Sequence, residues 1–264
     1  MKTGHYHQVW HDLQKVKHIH ELLAYLPEHL LEKAVFIVLS AWVLSPLYIL
    51  LRSVFLTGTD EQYLRLMLSS FWYVALQQVG FVGWLLALVS IAKNAVRNKD
   101  QGTKIGRKAW LSGRMVPLLL GLMLIWSILS CLTSDNRLLS FMGDAYRRDG
   151  LLSYLLYGGL FASATQVRSR STVRRIMVLF VAVATLLALL TLISQPALNE
   201  LFKIKSQSAV FYNANHYAYY LCLSQMGALF LYINGKKWSL GSLLWLSAFV
   251  VIAAALLDNG SLGP

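Results

Sequence analysis

Long apolar stretches alternate with short polar segments along the chain after residue 33. Seven of these stretches are long enough to be membrane-spanning helices: 34–51, 66–92, 115–133, 151–167, 176–194, 216–234 and 240–257. A helix rises about 1.5 Å per residue and the hydrocarbon core is about 30 Å thick, so a span needs roughly 17–25 residues. The pattern predicts an all-α, polytopic membrane protein with about seven transmembrane helices, because a helix satisfies its own backbone hydrogen bonds in lipid.

Basic residues are divided unevenly between two sets of loops. The N-terminal arm and the loops after the second, fourth and sixth spans carry 17 Lys or Arg, and the remaining loops carry 7. Cytoplasmic loops hold the excess of Lys and Arg, so the N-terminus is predicted to be cytoplasmic. The net charge of +12 then reports topology. No nucleic-acid partner is expected, because the cations lie in short loops beside the spans.

The composition agrees with this class, since 56% of the residues are hydrophobic and only 14% are charged. We expect three parts: a cytoplasmic amphipathic arm at 1–33, a transmembrane bundle at 34–257 and a short tail at the outer end at 258–264. The arm contains six of the seven histidines. We predict no metal site there, because no carboxylate or cysteine completes a defined ligand set.

The first polar segment on the predicted outer face is GDAYRRDG, residues 143–150. Paired arginines can bind a phosphate or diphosphate through charge-assisted, forked hydrogen bonds, which makes Arg147 and Arg148 candidate ligand-binding residues. In the alternative interpretation both are interfacial anchors whose charges pair with Asp144 and Asp149. Residue type alone gives the two interpretations equal weight.

The second polar segment is FYNANHYAYYL, residues 211–221. Tyrosines at the end of a span are ordinary interface anchors. Asn213, Asn215 and His216 are less ordinary there, because they place amides and a titratable imidazole at headgroup depth. Amide and aromatic side chains together suit sugar hydroxyls and ring faces. Lys203 and Lys205 precede this segment on the same predicted side of the membrane.

Together, the segments R-R-D-G-L-L-x-Y-L-x-Y (147–157) and N-A-N-H-Y-A-Y-Y-L (213–221) resemble the O-antigen ligase and O-antigen polymerase family. The resemblance is closest to the Gram-positive-type members and covers roughly residues 134–264. It implies a multi-span glycosyltransferase of the bacterial cytoplasmic membrane. The implied partner is a polyprenyl-diphosphate-linked glycan at the extracytoplasmic face, and neither a metal nor another cofactor is expected.

The implied reaction is attack of a sugar hydroxyl on an anomeric carbon, which needs cations at the leaving diphosphate and a base for the hydroxyl. None of the candidate residues is transferred from a family motif; each is an outer-face residue whose type fits. The candidate base is His216 with Asp149 second, and the candidate substrate-binding residues are Arg147, Arg148, Asn213, Asn215, Lys203 and Lys205.

Two departures from the family pattern support other functions. Leu262 stands where many members have the arginine of a Ser-Arg-Gly motif, and no large extracytoplasmic loop precedes Pro264. An N-terminal portion of such an enzyme, an inactive remnant or a non-enzymatic membrane subunit is therefore an alternative. A transporter is less favoured, because no predicted span has a charged residue near its centre and no repeat relates the two halves.

Overall fold

The computed structural model describes residues 26–56, 60–101, 115–144, 148–193, 196–203, 207–211, 213–236 and 238–260. The predicted arm up to residue 25, the candidate residues Arg147 and Lys205, and Leu262 lie outside these ranges. No β-strand occurs in the described ranges, where the regular structure is helical. The prediction of an all-α fold is therefore confirmed.

Within those ranges the helices follow one another in this order: α1 (Glu28–Ser53), α2 (Glu61–Gln101), α3 (Met115–Thr133), α4 (Arg137–Met142), α5 (Leu151–Ala164), α6 (Arg170–Ile193), α7 (Pro196–Phe202), α8 (Ala214–Ile233) and α9 (Leu240–Asp258).

Four described segments are long and apolar enough to cross a membrane: Glu28–Ser53, Gln62–Ala95, Arg170–Ile193 and Leu240–Asp258. They contain or largely overlap the first, second, fifth and seventh predicted spans. The chain is thus a multi-pass helical membrane protein. The other three predicted spans coincide with helices α3, α5 and α8, and that each of these crosses the bilayer remains a prediction.

Two helices extend into segments that we predicted to be loops. α2 continues to Gln101, nine residues past the predicted end of its span, and α6 begins at Arg170, six residues before its predicted start. Neither extension contains a proline or glycine, which would have ended the helix. The basic residues of both segments therefore lie partly on helical extensions of the spans.

α5 is shorter than predicted and ends at Ala164. Beyond it, the Gln166 and Val167 amides donate to the carbonyls three residues earlier, at 3.0 and 3.1 Å, so the chain tightens and leaves the helix. A helix of 14 residues is roughly 21 Å long at 1.5 Å per residue.

α1 lies between two groups of helices. It packs against α2 and α5 on one side and against α6 on the other, and α6, α8 and α9 pack against one another. α3 and the short α4 contact α5 at the edge of the bundle. The larger core fills the space among α1, α2, α6, α8 and α9, and includes the fully buried Ile49, Val181, Tyr217 and Ile252.

The α2–α5 contact depends on glycines. A Cβ atom built on Gly80 would lie 2.6 Å from the Leu156 carbonyl oxygen, and one on Gly83 would lie 2.7 Å from the Gly159 carbonyl oxygen. Both separations are shorter than real side chains tolerate. Small residues at helix interfaces let backbones approach closely, which matters in lipid because close packing contributes strongly to helix association there. The Trp84 indole N–H then donates to the Leu155 carbonyl oxygen at 2.7 Å.

We expect Gly83→Leu to destabilise the protein by about 1–3 kcal/mol or more, because the added side chain forces apart two packed backbones. Gly241→Leu is the matched control, since a Cβ on Gly241 meets no atom within 4 Å. The measurement is the fraction of detergent-solubilised protein that remains monodisperse after heating. Equal melting temperatures for the two variants would show that the α2–α5 contact is not tightly packed.

The charge asymmetry predicts that the loop after α3 lies outside and the start of α6 inside. In a background lacking Cys131 and Cys222, a membrane-impermeant maleimide added to intact cells should label Asp135→Cys and not Ser171→Cys. Both positions are exposed in the structure. Labelling at position 171 alone would reverse the topology.

Candidate functional site

The loop that carries Arg148 is closed at its base by two glycines. Gly143 has a φ of +79°, which L residues with a side chain rarely adopt. A Cβ on Gly143 would lie 2.5 Å from the amide nitrogens of both Asp149 and Gly150. A Cβ on Gly150 would in turn lie 2.5 Å from the Phe141 carbonyl oxygen. Only glycine fits at either position, so the GDAYRRDG pattern encodes a loop with a tight neck.

The backbone of this loop places Arg148 in the left-handed region, at a φ of +53°. Its amide donates to the Asp144 carbonyl oxygen at 2.8 Å, and its own carbonyl accepts a hydrogen bond from the Ser153 hydroxyl in the first turn of α5. The guanidinium carbon lies 5.4 Å from the centroid of the Tyr73 ring on α2, within the range of a cation–π contact. Arg148 is thus held from both the loop and α2.

Arg148 and His216 line one cavity of about 380 Å³, which we call the Arg148 cavity. Its walls come from α1, α2, α5, α8 and the loop before α8. The other lining residues are Trp42, Ser69, Trp72, Tyr73, Leu76, Ser153, Tyr157, Phe211, Tyr219, Tyr220 and Leu223. The volume lies within the range of about 300–1,000 Å³ that small-molecule sites occupy.

Three buried polar atoms at this cavity have no hydrogen-bond partner among the described residues: the Tyr73 hydroxyl, the Tyr220 hydroxyl and Nε of Arg148. Buried polar groups are normally satisfied, and an exception calls for an ordered water, an ion or a ligand. All three atoms belong to residues that line one cavity, which makes this cavity the candidate ligand site.

An aromatic network forms one side of the cavity. The Trp72 ring stacks on Phe211 with 4.9 Å between centroids, and Trp42 meets Trp72 and Tyr157 edge-on at 5.9 and 6.3 Å. The Trp72 indole N–H donates to the Val210 carbonyl oxygen at 2.9 Å, which fixes the ring. Phe211 also contacts Tyr220 at 4.8 Å. The wall is therefore rigid and presents flat apolar faces.

The mouth of the Arg148 cavity is formed by side chains that point away from the bundle. Tyr157 on α5 is 50% exposed, and Tyr219 and Leu223 on α8 are 69% and 67% exposed. The prediction that α5 and α8 cross the bilayer would place these faces against lipid. On that prediction the cavity opens toward lipid.

The start of α8 is fixed by Asn213 as its N-cap. The Asn213 side-chain oxygen accepts a hydrogen bond from the Asn215 amide at 2.9 Å, which satisfies a helix N-terminal donor. One turn later, the buried Tyr217 hydroxyl bonds Thr191 of α6 at 3.0 Å. These two contacts hold the first turn of α8 in place and with it His216.

The structure brings together two of the predicted site residues, Arg148 and His216. Four others do not line the cavity: Asp149 and Asn215 are exposed, Asn213 is the cap of α8, and Lys203 lies in the turn after α7 with a φ of +51°. Arg147 and Lys205 lie outside the described residues. Among the residues that the structure describes, no group of three His, Cys, Asp or Glu is placed to hold a metal ion.

Sequence analysis did not find the two unpaired tyrosines. Tyr73 lies inside the apolar run of α2, where nothing separates it from a packing residue, and Tyr220 reads as one of several interface tyrosines. The one available signal was the aromatic cluster Phe71-Trp72-Tyr73, which is dense for the outer half of a span.

Comparison with protein-family models, with curated proteins and with solved structures found no match to this chain.

Asn259 ties the loop before α8 to the end of α9. It is 2% exposed, and its side-chain amide donates to the carbonyl oxygens of Gln207 and Ala214, the latter at 3.3 Å.

We expect Asn259→Ala to cost about 1–3 kcal/mol, because it removes the two hydrogen bonds that this buried side chain donates. Asn234→Ala is the control: Asn234 is exposed and donates only to a carbonyl of its own helix, at 2.9 Å. Thermal unfolding of both purified variants gives the comparison. A loss at position 259 no larger than at 234 would contradict the tie.

Proposed function

We propose that this protein binds a polyprenyl-diphosphate-linked glycan in the Arg148 cavity and transfers the glycan to a sugar hydroxyl at the extracytoplasmic face. The observation that carries the proposal is that Arg148, His216 and two tyrosines, whose buried hydroxyls lack a partner among the described residues, all line one cavity with the exposed Tyr157, Tyr219 and Leu223. Such a site suits a ligand with a polar head and an apolar tail. The family resemblance of the 147–157 and 213–221 segments supports the same chemistry.

Arg148 supplies the charge that a diphosphate requires. A guanidinium is always charged and presents a planar fork of donors that matches phosphate oxygens. Its Nε is buried and lacks a partner among the described residues, so a phosphate oxygen that reached it would satisfy an unmet donor. Tyr73 lies beneath the guanidinium, and its hydroxyl can donate to a neighbouring oxygen of the same ligand.

The aromatic wall supplies the surface for the sugar. Sugar rings have apolar faces of C–H groups and edges of hydroxyls, so they pack on aromatic rings and exchange hydrogen bonds at their rims. Trp72 is fixed by its bond to Val210, and a fixed ring loses little entropy when a ligand binds. The Tyr220 hydroxyl is the available polar group beside it.

His216 is the group that can accept the proton of the attacking hydroxyl, because a neutral imidazole is a base near neutral pH. In the proposed step the acceptor oxygen forms a bond to the anomeric carbon while the bond from that carbon to the diphosphate oxygen breaks. The proton passes to His216. The lipid diphosphate departs, and Arg148 stabilises the negative charge that the diphosphate gains. The proposed transfer step requires no oxidant, reductant or metal.

A non-enzymatic binding subunit is the second candidate, and one observation favours it. Arg148 is the one cation among the described lining residues of the cavity, and Asp149, the second candidate base, is exposed outside it. A site with one cation can bind a lipid diphosphate without stabilising the larger charge of a leaving group.

The binding test uses the purified full chain and a photoreactive polyprenyl-diphosphate analogue. We expect Arg148→Ala to weaken binding by about 1.5–3 kcal/mol, or roughly 10- to 150-fold, and Arg148→Lys to restore only part of it. Arg52→Ala is the matched control, because Arg52 also lies at the predicted outer end and over a ring of α2, with its guanidinium carbon 5.3 Å from the Phe71 centroid.

If equal amounts of folded Arg148→Ala and Arg52→Ala protein crosslink equally, the binding proposal is contradicted. If binding is lost as expected, His216→Gln separates the two candidates. A transferase should lose glycan transfer in this variant and keep crosslinking. Transfer absent from the wild type in the presence of donor and acceptor glycans would leave the binding subunit as the function.

A further inference from the structure

A second and larger cavity runs along α5 from the first turn of that helix to the segment after its C-terminus. It has a volume of about 770 Å³ and lies among α2, α3 and α5, and we call it the α3 groove. One continuous face of α5 forms its floor, since Tyr154, Tyr157, Phe161 and Thr165 recur at helical spacing. None of the chemistry proposed for the Arg148 cavity uses this groove.

The groove changes character along its length. Its middle is apolar, with Met123 and Leu124 of α3 facing Phe161 of α5. Its other end is polar and is lined by Asn94, Thr165, Gln166 and Arg168. That end lies beside the basic segments that the charge asymmetry predicts to be cytoplasmic.

We propose that the α3 groove is a binding site for one anionic phospholipid of the cytoplasmic leaflet, with an acyl chain in the apolar part and the phosphate beside Arg168. Basic pockets between transmembrane helices on the cytoplasmic side are suited to anionic lipid headgroups. The volume is that of a ligand site, and the order from apolar to cationic matches the order of tail and headgroup in that leaflet.

Room for the acyl chain comes from the small residues of the groove. A Cβ on Gly121 of α3 meets no atom within 4 Å, so open space lies directly against that backbone. At Gly158 of α5 a Cβ would lie 3.2 Å from Trp84 and 3.3 Å from Leu124, so the groove wall there has no spare space. Space is therefore present on the α3 side, where a flexible chain can fill it.

Charge decides which lipid binds. Arg168 has an ion pair with Glu28 whose atoms are 3.8 Å apart, and both side chains are more than half exposed. An exposed pair of this kind contributes little to stability, so a phosphate can compete for the guanidinium. Arg170, Arg174 and Arg175 follow on the first turns of α6 and add positive potential at the same end. A zwitterionic headgroup gains less from this field than an anionic one.

The test is native mass spectrometry of the purified full chain with added phosphatidylglycerol or phosphatidylcholine of the same acyl chains. The wild type should bind phosphatidylglycerol at least fivefold more tightly. Gly121→Leu should reduce the binding of both lipids at least tenfold, whereas Gly241→Leu, equally open in the structure, should not. Arg168→Gln should remove the preference for phosphatidylglycerol and leave phosphatidylcholine binding intact, and Arg174→Gln, which weakens only the surrounding positive potential, should reduce the preference by less than Arg168→Gln.

Unchanged binding in Gly121→Leu, or an unchanged headgroup preference in Arg168→Gln, would overturn the proposal. Loss of phosphatidylglycerol binding in Arg148→Ala would also overturn it, since the lipid would then occupy the other cavity. Should a variant fail to fold, photoreactive acyl chains on the wild-type protein decide the matter. Adducts in 120–124 and 158–168 support the α3 groove, and adducts elsewhere alone reject it.

Discussion

The close approach of α2 and α5 is the contact on which the rest of this structure depends. Gly80 and Gly83 let the two backbones meet at distances that no side chain would allow. In lipid there is little hydrophobic gain from bringing helices together, so tight packing and satisfied polar groups must hold them. Trp84 adds one such polar contact across the interface. Because α5 is fixed in this way, the loop at its N-terminus is fixed too, and Arg148 lies over Tyr73 of α2.

The need to satisfy polar groups in lipid also explains how irregular backbone can lie near the membrane. Loop backbone facing lipid would leave its polar groups unsatisfied, so it is tolerated only against protein or beside a polar cavity. The loop that carries Arg148 lies against protein: Gly143 and Gly150 pack closely at its base, and the Arg148 carbonyl accepts a hydrogen bond from Ser153. The loop before α8 also lies against protein, because Trp72 donates to the Val210 carbonyl and Asn259 donates to the Gln207 carbonyl. The Arg148 cavity lies between these two stabilised loops.

How well the sequence predicts the helix bounds and the candidate-site residues differs from element to element. Apolar run length predicts α3 to the residue and α9 to within one residue, because hydrophobicity and helix coincide there. It misses the extension of α2 to Gln101, since a helix leaving the membrane keeps its backbone bonds without apolar side chains. Arg148 and His216 were predictable, because polar residues stand out at the ends of apolar runs. Tyr73 was not, because its role depends on the Arg148 guanidinium, 75 residues away in the chain.

The length of α5 relates the two cavities to each other. Its 14 residues span roughly 21 Å, while the hydrocarbon core is about 30 Å thick. A short helix in a thick membrane draws its flanking segments inward or thins the bilayer locally. At one end the flanking segment is the loop with Arg148, and at the other it is the tight turn that leads to Arg168. On the prediction that α5 crosses the bilayer, each cation would lie closer to the apolar region than a loop cation beside a full-length span. Tyr157 lines both cavities, so the two sites share a side chain of α5, with Arg148 before the N-terminus of that helix and Arg168 after its C-terminus.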